Sequence, residues 1–244
     1  MIHIKLTLGH LFPDLLNMYG DRGNVAALLF RLRWRGIDAE VREYRQRDDI
    51  DFSLLDIVFL GGGSDHENVL AVERLRNFRD AFAGYVERGG AAIAVCGGYQ
   101  LLGEYFPAGG EIIEGLHILD IRTKTGPGRL IGNTVVDSHL CDMPVVGFEN
   151  HGGRTFIGNH KPLGRTASGC GNNGEDGYEG VVYKNLLGTY LHGPLLPKNP
   201  QLCDWLLQRA IEQKDFQASL APLDDTIETE ANRYIVKRFL PAHD

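Results

Sequence analysis

An α/β fold, a single doubly wound and mostly parallel sheet flanked by helices, is what three features of this chain predict. Apolar runs and helical periodicities alternate through its first half. One run, Leu54 to Leu60, is apolar nearly throughout, as a strand buried on both faces of a parallel sheet must be. Glycine-rich breaks follow the runs at 61–63 and 97–98, where a strand would give way to a helix.

Taken in order, Ile2 to Leu8 alternates as a first strand and leads into a long loop, L-F-P-D-L-L-N-M-Y-G-D-R-G-N. Asn24 can cap a helix that runs to Arg35, with Gly36 as its stop, and Ile37 to Tyr44 is the second strand. Leu54 to Leu60 is the third and ends in Gly61-Gly62-Gly63-Ser64-Asp65. Apolar residues at 72, 75, 78, 82, 85 and 86 predict one helix from Leu70 to Arg88. A fourth strand starts at Ala91 and stops at Cys96, and a helix is expected from Tyr99 to Phe106. Beyond Gly109 the expected strands are shorter, at 115–122, 130–137, 144–149 and 181–190, and read as antiparallel additions to the same sheet. Two helices close the chain, Asn199 to Gln213 and Asp225 to Phe239. In the second, Ile227, Ala231, Tyr234, Ile235 and Phe239 form a stripe whose expected role is packing on the core.

A length of 244 residues is enough for one full core, and residues 1–244 are read as a single domain. A net charge of −7 argues against a nucleic acid or an anionic membrane as the main partner. No run of 18 apolar residues occurs, so no membrane insertion is expected. M-I-H-I-K-L-T-L-G-H lacks a basic segment before a long apolar run, and the expectation is a cytoplasmic protein. Cys96, Cys141, Cys170 and Cys203 show no C-x-x-C spacing, which indicates neither a metal site nor a disulfide framework.

A single functional thiol fits that pattern, and Cys96 is the candidate. In A-A-I-A-V-C-G-G-Y-Q-L-L-G the cysteine stands at a strand-to-helix elbow, a strained turn whose neighbours must be small; Ala94, Gly97 and Gly98 are. The following helix would point its N–H groups at the sulfur and favour the thiolate. The alternative is a small buried strand residue, the usual fate of a free cysteine, but such a residue needs no elbow. The glycines at 61–63 should lie beside the elbow, at the carboxyl ends of neighbouring strands. There the N–H groups of Gly63 and Gly97 could hold an oxyanion, or the glycines simply make a flexible turn. A thiol attacking an amide also needs a base that returns a proton to the leaving group. Of nine histidines, His192 follows the apolar run Leu186 to Leu191 at a strand end.

V-C-G-G-Y-Q resembles the nucleophile motif of the class I, triad-type glutamine amidotransferases, in their cobyric-acid-synthase-like branch, and T-Y-L-H-G resembles the context of their catalytic histidine. The resemblance implies Cys96 as nucleophile, His192 as base, and Arg129 and Gln100 as contacts to L-glutamine. Arg129 in T-G-P-G-R-L could otherwise be a solvated loop residue, and Gln100 a buried helix residue bonding nearby backbone. The chain departs from the family at Pro194, where most members carry the glutamate that orients the histidine. Either another carboxylate of this chain, with Glu149 a weak candidate, or one from a partner must replace it.

Further stretches, G-F-E-N-H-G-G-R-T and Y-K-N-L-L-G-T-Y-L-H-G-P-L-L-P-K-N, narrow the resemblance to glutaminase subunits that form heterodimers with a Mur-ligase-like synthetase in bacterial cell-wall synthesis. It implies that ammonia amidates a D-glutamate α-carboxylate on a lipid-linked stem peptide, an acceptor reached through the partner. ATP and Mg would act in that partner, and no cofactor is expected in this chain, which has no G-x-x-x-x-G-K-[ST] loop. Three other readings are a stand-alone cysteine hydrolase of γ-glutamyl substrates, a corrinoid amidotransferase subunit, and a scaffold without catalysis.

Overall fold

The computed structural model describes residues 4–240; Ile2 and His3, at the start of the expected first strand, lie outside the described residues. β1 (Lys5–Leu11), β2 (Asp38–Tyr44), β3 (Ile57–Leu60) and β4 (Ala91–Val95) pair in parallel in the order β2-β1-β3-β4. Between them run α1 (Arg22–Trp34), α2 (Asp65–Leu75) and α3 (Arg79–Glu87), and α4 (Gly97–Leu101) follows β4.

The pleat sends alternate residues of β3 and β4 into two cores, which is why these central strands read as continuous apolar runs. Ile57, Phe59, Ile93 and Val95 pack with Leu28 and Leu32 of α1. Val58, Leu60, Ala92 and Ala94 pack with Val72 and Leu75 of α2 and Phe82 of α3. Each Val, Leu, Ile or Phe among them, fully buried, contributes roughly 1.5–3 kcal/mol of transfer free energy.

The second half departs from expectation. β5 (Tyr105–Ala108), β6 (Glu111–Glu114), β7 (Arg122–Ser138), β8 (Val145–Phe156), β9 (Gly164–Ser168) and β10 (Tyr178–Glu179) build a second sheet rather than additions to the first. Only the end of the chain returns to the first sheet. β12 (Leu186–Thr189) lies parallel to β4, with β11 (Val181–Tyr183) antiparallel outside it. The expected strand at 115–122 is mostly loop, which buries Leu116, Leu119 and Ile121 without pairing. The expected helix from Leu70 to Arg88 begins earlier and is split at Arg76–Phe78 into α2 and α3. Its start is fixed by Ser64, whose hydroxyl accepts from Glu67 N–H while the Glu67 carboxylate accepts from Ser64 N–H.

Asn24 does not cap α1, which starts at Arg22; its side chain instead accepts from Leu196 N–H at 2.8 Å. α5 (Pro200–Lys214) and α6 (Thr226–Phe239) close the described chain. The α6 stripe is not core: Ile227 is 79 % and Tyr234 61 % exposed, and the helix buries Asn232 instead. That amide donates to Pro144 O and Lys198 O, so polar contacts rather than the apolar stripe hold α6. Among the described residues no helix is long and apolar enough to cross a membrane.

Candidate active site

β4 and β12 lie side by side with Val95 opposite Thr189, and Cys96 N–H donates to Thr189 O at 2.8 Å. Both strands end there, so Cys96 and the segment from Tyr190 to His192 emerge from the same carboxyl edge of the sheet. Cys96 has φ 52° and ψ −111°, a conformation that costs a non-glycine residue about 1–3 kcal/mol and needs rigid surroundings to persist. Those surroundings admit no side chains. A Cβ on Gly98 would stand 2.5 Å from Gly61 O, and one on Gly97 2.2 Å from Asn68 Oδ1.

A cleft of about 550 Å³ opens over the elbow, lined by Cys96, Gly97, Gly63, Gln100 and Arg129, with Asn68 and His151 beside them. Gln100 Nε2 donates to the Tyr190 hydroxyl at 2.9 Å, and that hydroxyl meets Thr155 Oγ1 at 2.6 Å. Arg129 sits in a bulge of β7 where the pairing to β8 shifts register between Thr125 and Leu130. Its guanidinium donates to Asn150 Oδ1 at 2.8 Å and Asn150 O at 2.7 Å, so the group is aimed, while remaining exposed enough to receive a carboxylate.

His192 is 1 % exposed and is not among the residues lining the cleft. Its backbone exchanges hydrogen bonds with Phe148 in both directions, 3.0 and 3.3 Å, which ties the strand end to β8 of the second sheet. Burial pushes its imidazole down to about 4; His151, Lys198 and Arg129 act the same way and Glu149 against them. At neutral pH the ring is uncharged and able to take a proton.

The helix behind Cys96 is shorter than expected, five residues from Gly97 to Leu101, and the downward pull of its first N–H on the thiol is outweighed by burial. Burial pushes the thiol up to about 12, Asp21 adds to this, and Gly97 N–H and Arg129 oppose it. A neutral thiol and a neutral imidazole therefore stand at the ends of adjacent strands, so the proton leaves sulfur as attack proceeds. One consequence is measurable. Below pH 12 the thiolate fraction grows about tenfold per pH unit, so iodoacetamide should alkylate Cys96 ever faster from pH 7 to 10 without levelling, followed by site-mapped mass spectrometry. A plateau starting below pH 8 would mean a preformed thiolate.

Glu149 is buried beside this site, but both its oxygens are engaged. They accept from Cys170 N–H at 2.7 Å and Gly171 N–H at 2.8 Å, and one lies 3.7 Å from His151 Nε2. Pro194, at the position of the family's glutamate, packs on α1: a Cβ on Gly23 would come within 2.5 Å of its Cγ.

Three residues of the site had not been read from the sequence. Asn68 Nδ2 donates to Gly63 O at 3.3 Å from the first turns of α2. His151 reaches the cleft by stacking flat on Tyr190, ring centroids 3.6 Å apart. Asp21 is buried against the glycine loop, and burial pushes its carboxyl up to about 7 against the pull of Gly62 N–H. For Asp21 and His151 the available signals were the motifs M-Y-G-D-R-G-N and F-E-N-H-G-G; Asn68 stands in neither. Among the described residues no group of three or more His, Cys, Asp or Glu side chains is placed to hold a metal ion.

A strained cysteine elbow, a glycine loop beside it and a histidine on the adjacent strand end are the parts of a glutamine amidotransferase. Residues 7–200 match the CobB/CobQ-like glutamine amidotransferase domain, and the chain belongs to that family. It is 43% identical over 96% of its length to the lipid II isoglutaminyl synthase (glutamine-hydrolyzing) subunit GatD of Staphylococcus aureus, covering 96% of that protein. It is 38% identical to the Streptococcus pneumoniae protein of the same name, over 91% of this chain and 87% of that one. The fold is also that of the structure of PurLQS from Thermotoga maritima, with a TM-score of 0.56 at 15% identity, covering 87% of this chain and 100% of that one.

Proposed function

We propose that this chain hydrolyses L-glutamine and delivers the ammonia to a Mur-ligase-like synthetase, with which it forms a heterodimer in the cytoplasm. That partner, using ATP and Mg²⁺, amidates the α-carboxylate of D-glutamate in lipid II to give D-isoglutamine. The observation that carries the reading is the cleft that Cys96, at its elbow, lines together with Gly63, Gly97, Gln100 and Arg129. The names of the Staphylococcus and Streptococcus relatives support the acceptor, and their designation as subunits supports a partner.

In this reading Arg129 clamps the α-carboxylate of glutamine and Gln100 contacts the rest of the substrate. Cys96 Sγ attacks the side-chain amide carbon as its proton passes to His192, and the N–H groups of Gly63 and Gly97 hold the oxyanion. His192 returns the proton to the departing nitrogen, which leaves as ammonia and a thioester on Cys96. Water, deprotonated by His192, cleaves the thioester to glutamate and restores the thiol. A carboxylate from the partner orients His192, since Pro194 is packed on α1 and Glu149 is bound to the turn at Cys170 and Gly171.

Amidation of lipid II by the chain together with its synthetase, ATP and Mg²⁺ tests the pairing. With Cys96→Ala, glutamine-driven amidation should vanish while ammonium chloride restores it. If ammonium fails to restore amidation, this chain does more than supply ammonia; if the acceptor is never amidated, the assignment of substrate is wrong.

A further inference from the structure

The loop 61–63 must be rigid to hold an oxyanion, yet glycine is the residue that least restricts its own backbone. Its rigidity therefore comes from the contacts around it. Gly61 O accepts from Gly98 N–H at 3.0 Å and Gly62 O from Met18 N–H at 2.9 Å. Gly63 O accepts from Asn68 Nδ2, leaving the N–H of Gly62 to a side chain 41 positions upstream. Asp21 Oδ2 accepts it at 3.0 Å. The fit is tight on both sides of that bond: a Cβ on Gly61 would lie 3.1 Å from Asp21 Oδ2, and one on Gly62 3.0 Å from Cys96 Cβ.

Asp21 is 1 % exposed, and its second oxygen, Oδ1, is buried with no hydrogen-bond partner among the described residues. A buried oxygen left in that state disfavours folding, and holding the loop through Gly62 N–H is what the Asp21 carboxyl contributes against that cost. The geometry points to Asp21 as a positioning residue: by fixing Gly62 N–H it sets the turn that presents Gly63 N–H to the oxyanion, and it touches neither glutamine nor the reacting atoms. This rests on the glutaminase reading above.

Two substitutions separate that role from others. Asp21→Asn keeps an oxygen acceptor for Gly62 N–H and removes the charge, while Asp21→Ala removes both. With the partner present, Asp21→Ala should lower kcat for L-glutamine hydrolysis on the order of 10²-fold, with KM within about threefold, because an ill-placed donor is lost from the transition state alone. Asp21→Asn should restore kcat to within about fivefold of the parent. Alkylation of Cys96 by iodoacetamide needs no oxyanion site and should not slow in either variant. A parent complex that releases no ammonia defeats the glutaminase reading and this inference with it. An active parent in which Asp21→Asn loses as much as Asp21→Ala, Asp21→Ala loses nothing, or alkylation falls in step with hydrolysis overturns the positioning role alone.

Discussion

His192→Ala lowers kcat for glutamine hydrolysis by about 10²–10⁴, with KM changed only a few-fold. Two features set that expectation. The thiol of Cys96 holds its proton up to about 12, so attack depends on a base, and His192 is held neutral by burial that pushes it down to about 4. Its imidazole is competent as a base above that value and loses competence as the pH falls through it, so the acid limb of kcat/KM belongs near 4 in the parent chain. His151 is the second histidine of the site, and it lines the cleft where His192 does not. It is, however, stacked on Tyr190, and its Nδ1 is paired with Gly153 O at 2.8 Å. His151→Ala should therefore cost less than His192→Ala; the reverse order, measured by steady-state ammonia release, would reassign the base.

The largest effect on stability is expected at Arg31. This guanidinium, only 5 % exposed, bonds the carboxylates of Asp204 on α5 and Asp225 at the start of α6, with contacts of 2.5–2.9 Å. Breaking a buried pair typically costs 3–5 kcal/mol through the charge left behind. Here Asp204 keeps Arg35, and both acids are about one-quarter exposed and can hydrate, so Arg31→Met should cost about 2–3 kcal/mol. Urea unfolding of parent and variant measures it, and a loss under 0.5 kcal/mol would show that the apolar contacts of α1 and α5 suffice. α6 should be the first element to loosen, because its own apolar stripe is exposed and Asn232 and Asp225 are what attach it.

The centre of the first sheet was legible because its inner strands are buried on both faces, and burial writes itself into sequence as an unbroken apolar run, as at Ile57–Leu60. Cys96 was legible because a strained elbow requires small neighbours, and Gly97 and Gly98 supply them. The second sheet was not. β7 is 17 residues long, and much of its first part is exposed, so it carries neither a clean alternation nor an apolar run. Nothing local announces that β12 crosses back to pair with β4. The α6 stripe misled for a related reason: amphipathic spacing states that one face is apolar, not that anything in the same chain covers it. Asp21 and Asn68 were hidden because each acts on loop backbone, Asp21 on Gly62 from a distant segment and Asn68 on Gly63 from the helix after it. The upward push on the Cys96 thiol could not be foreseen either, since a helix end and burial act on a thiol in opposite directions and only the packing decides between them.

The most direct test is ammonia release from L-glutamine, measured for the chain alone and with the proposed synthetase partner, with Cys96→Ala as control. Release should disappear in Cys96→Ala and rise when the partner is present, if a carboxylate from the partner completes the orientation of His192 as proposed. Release that persists in Cys96→Ala, or none from the unaltered chain with or without the partner, would contradict the glutaminase reading.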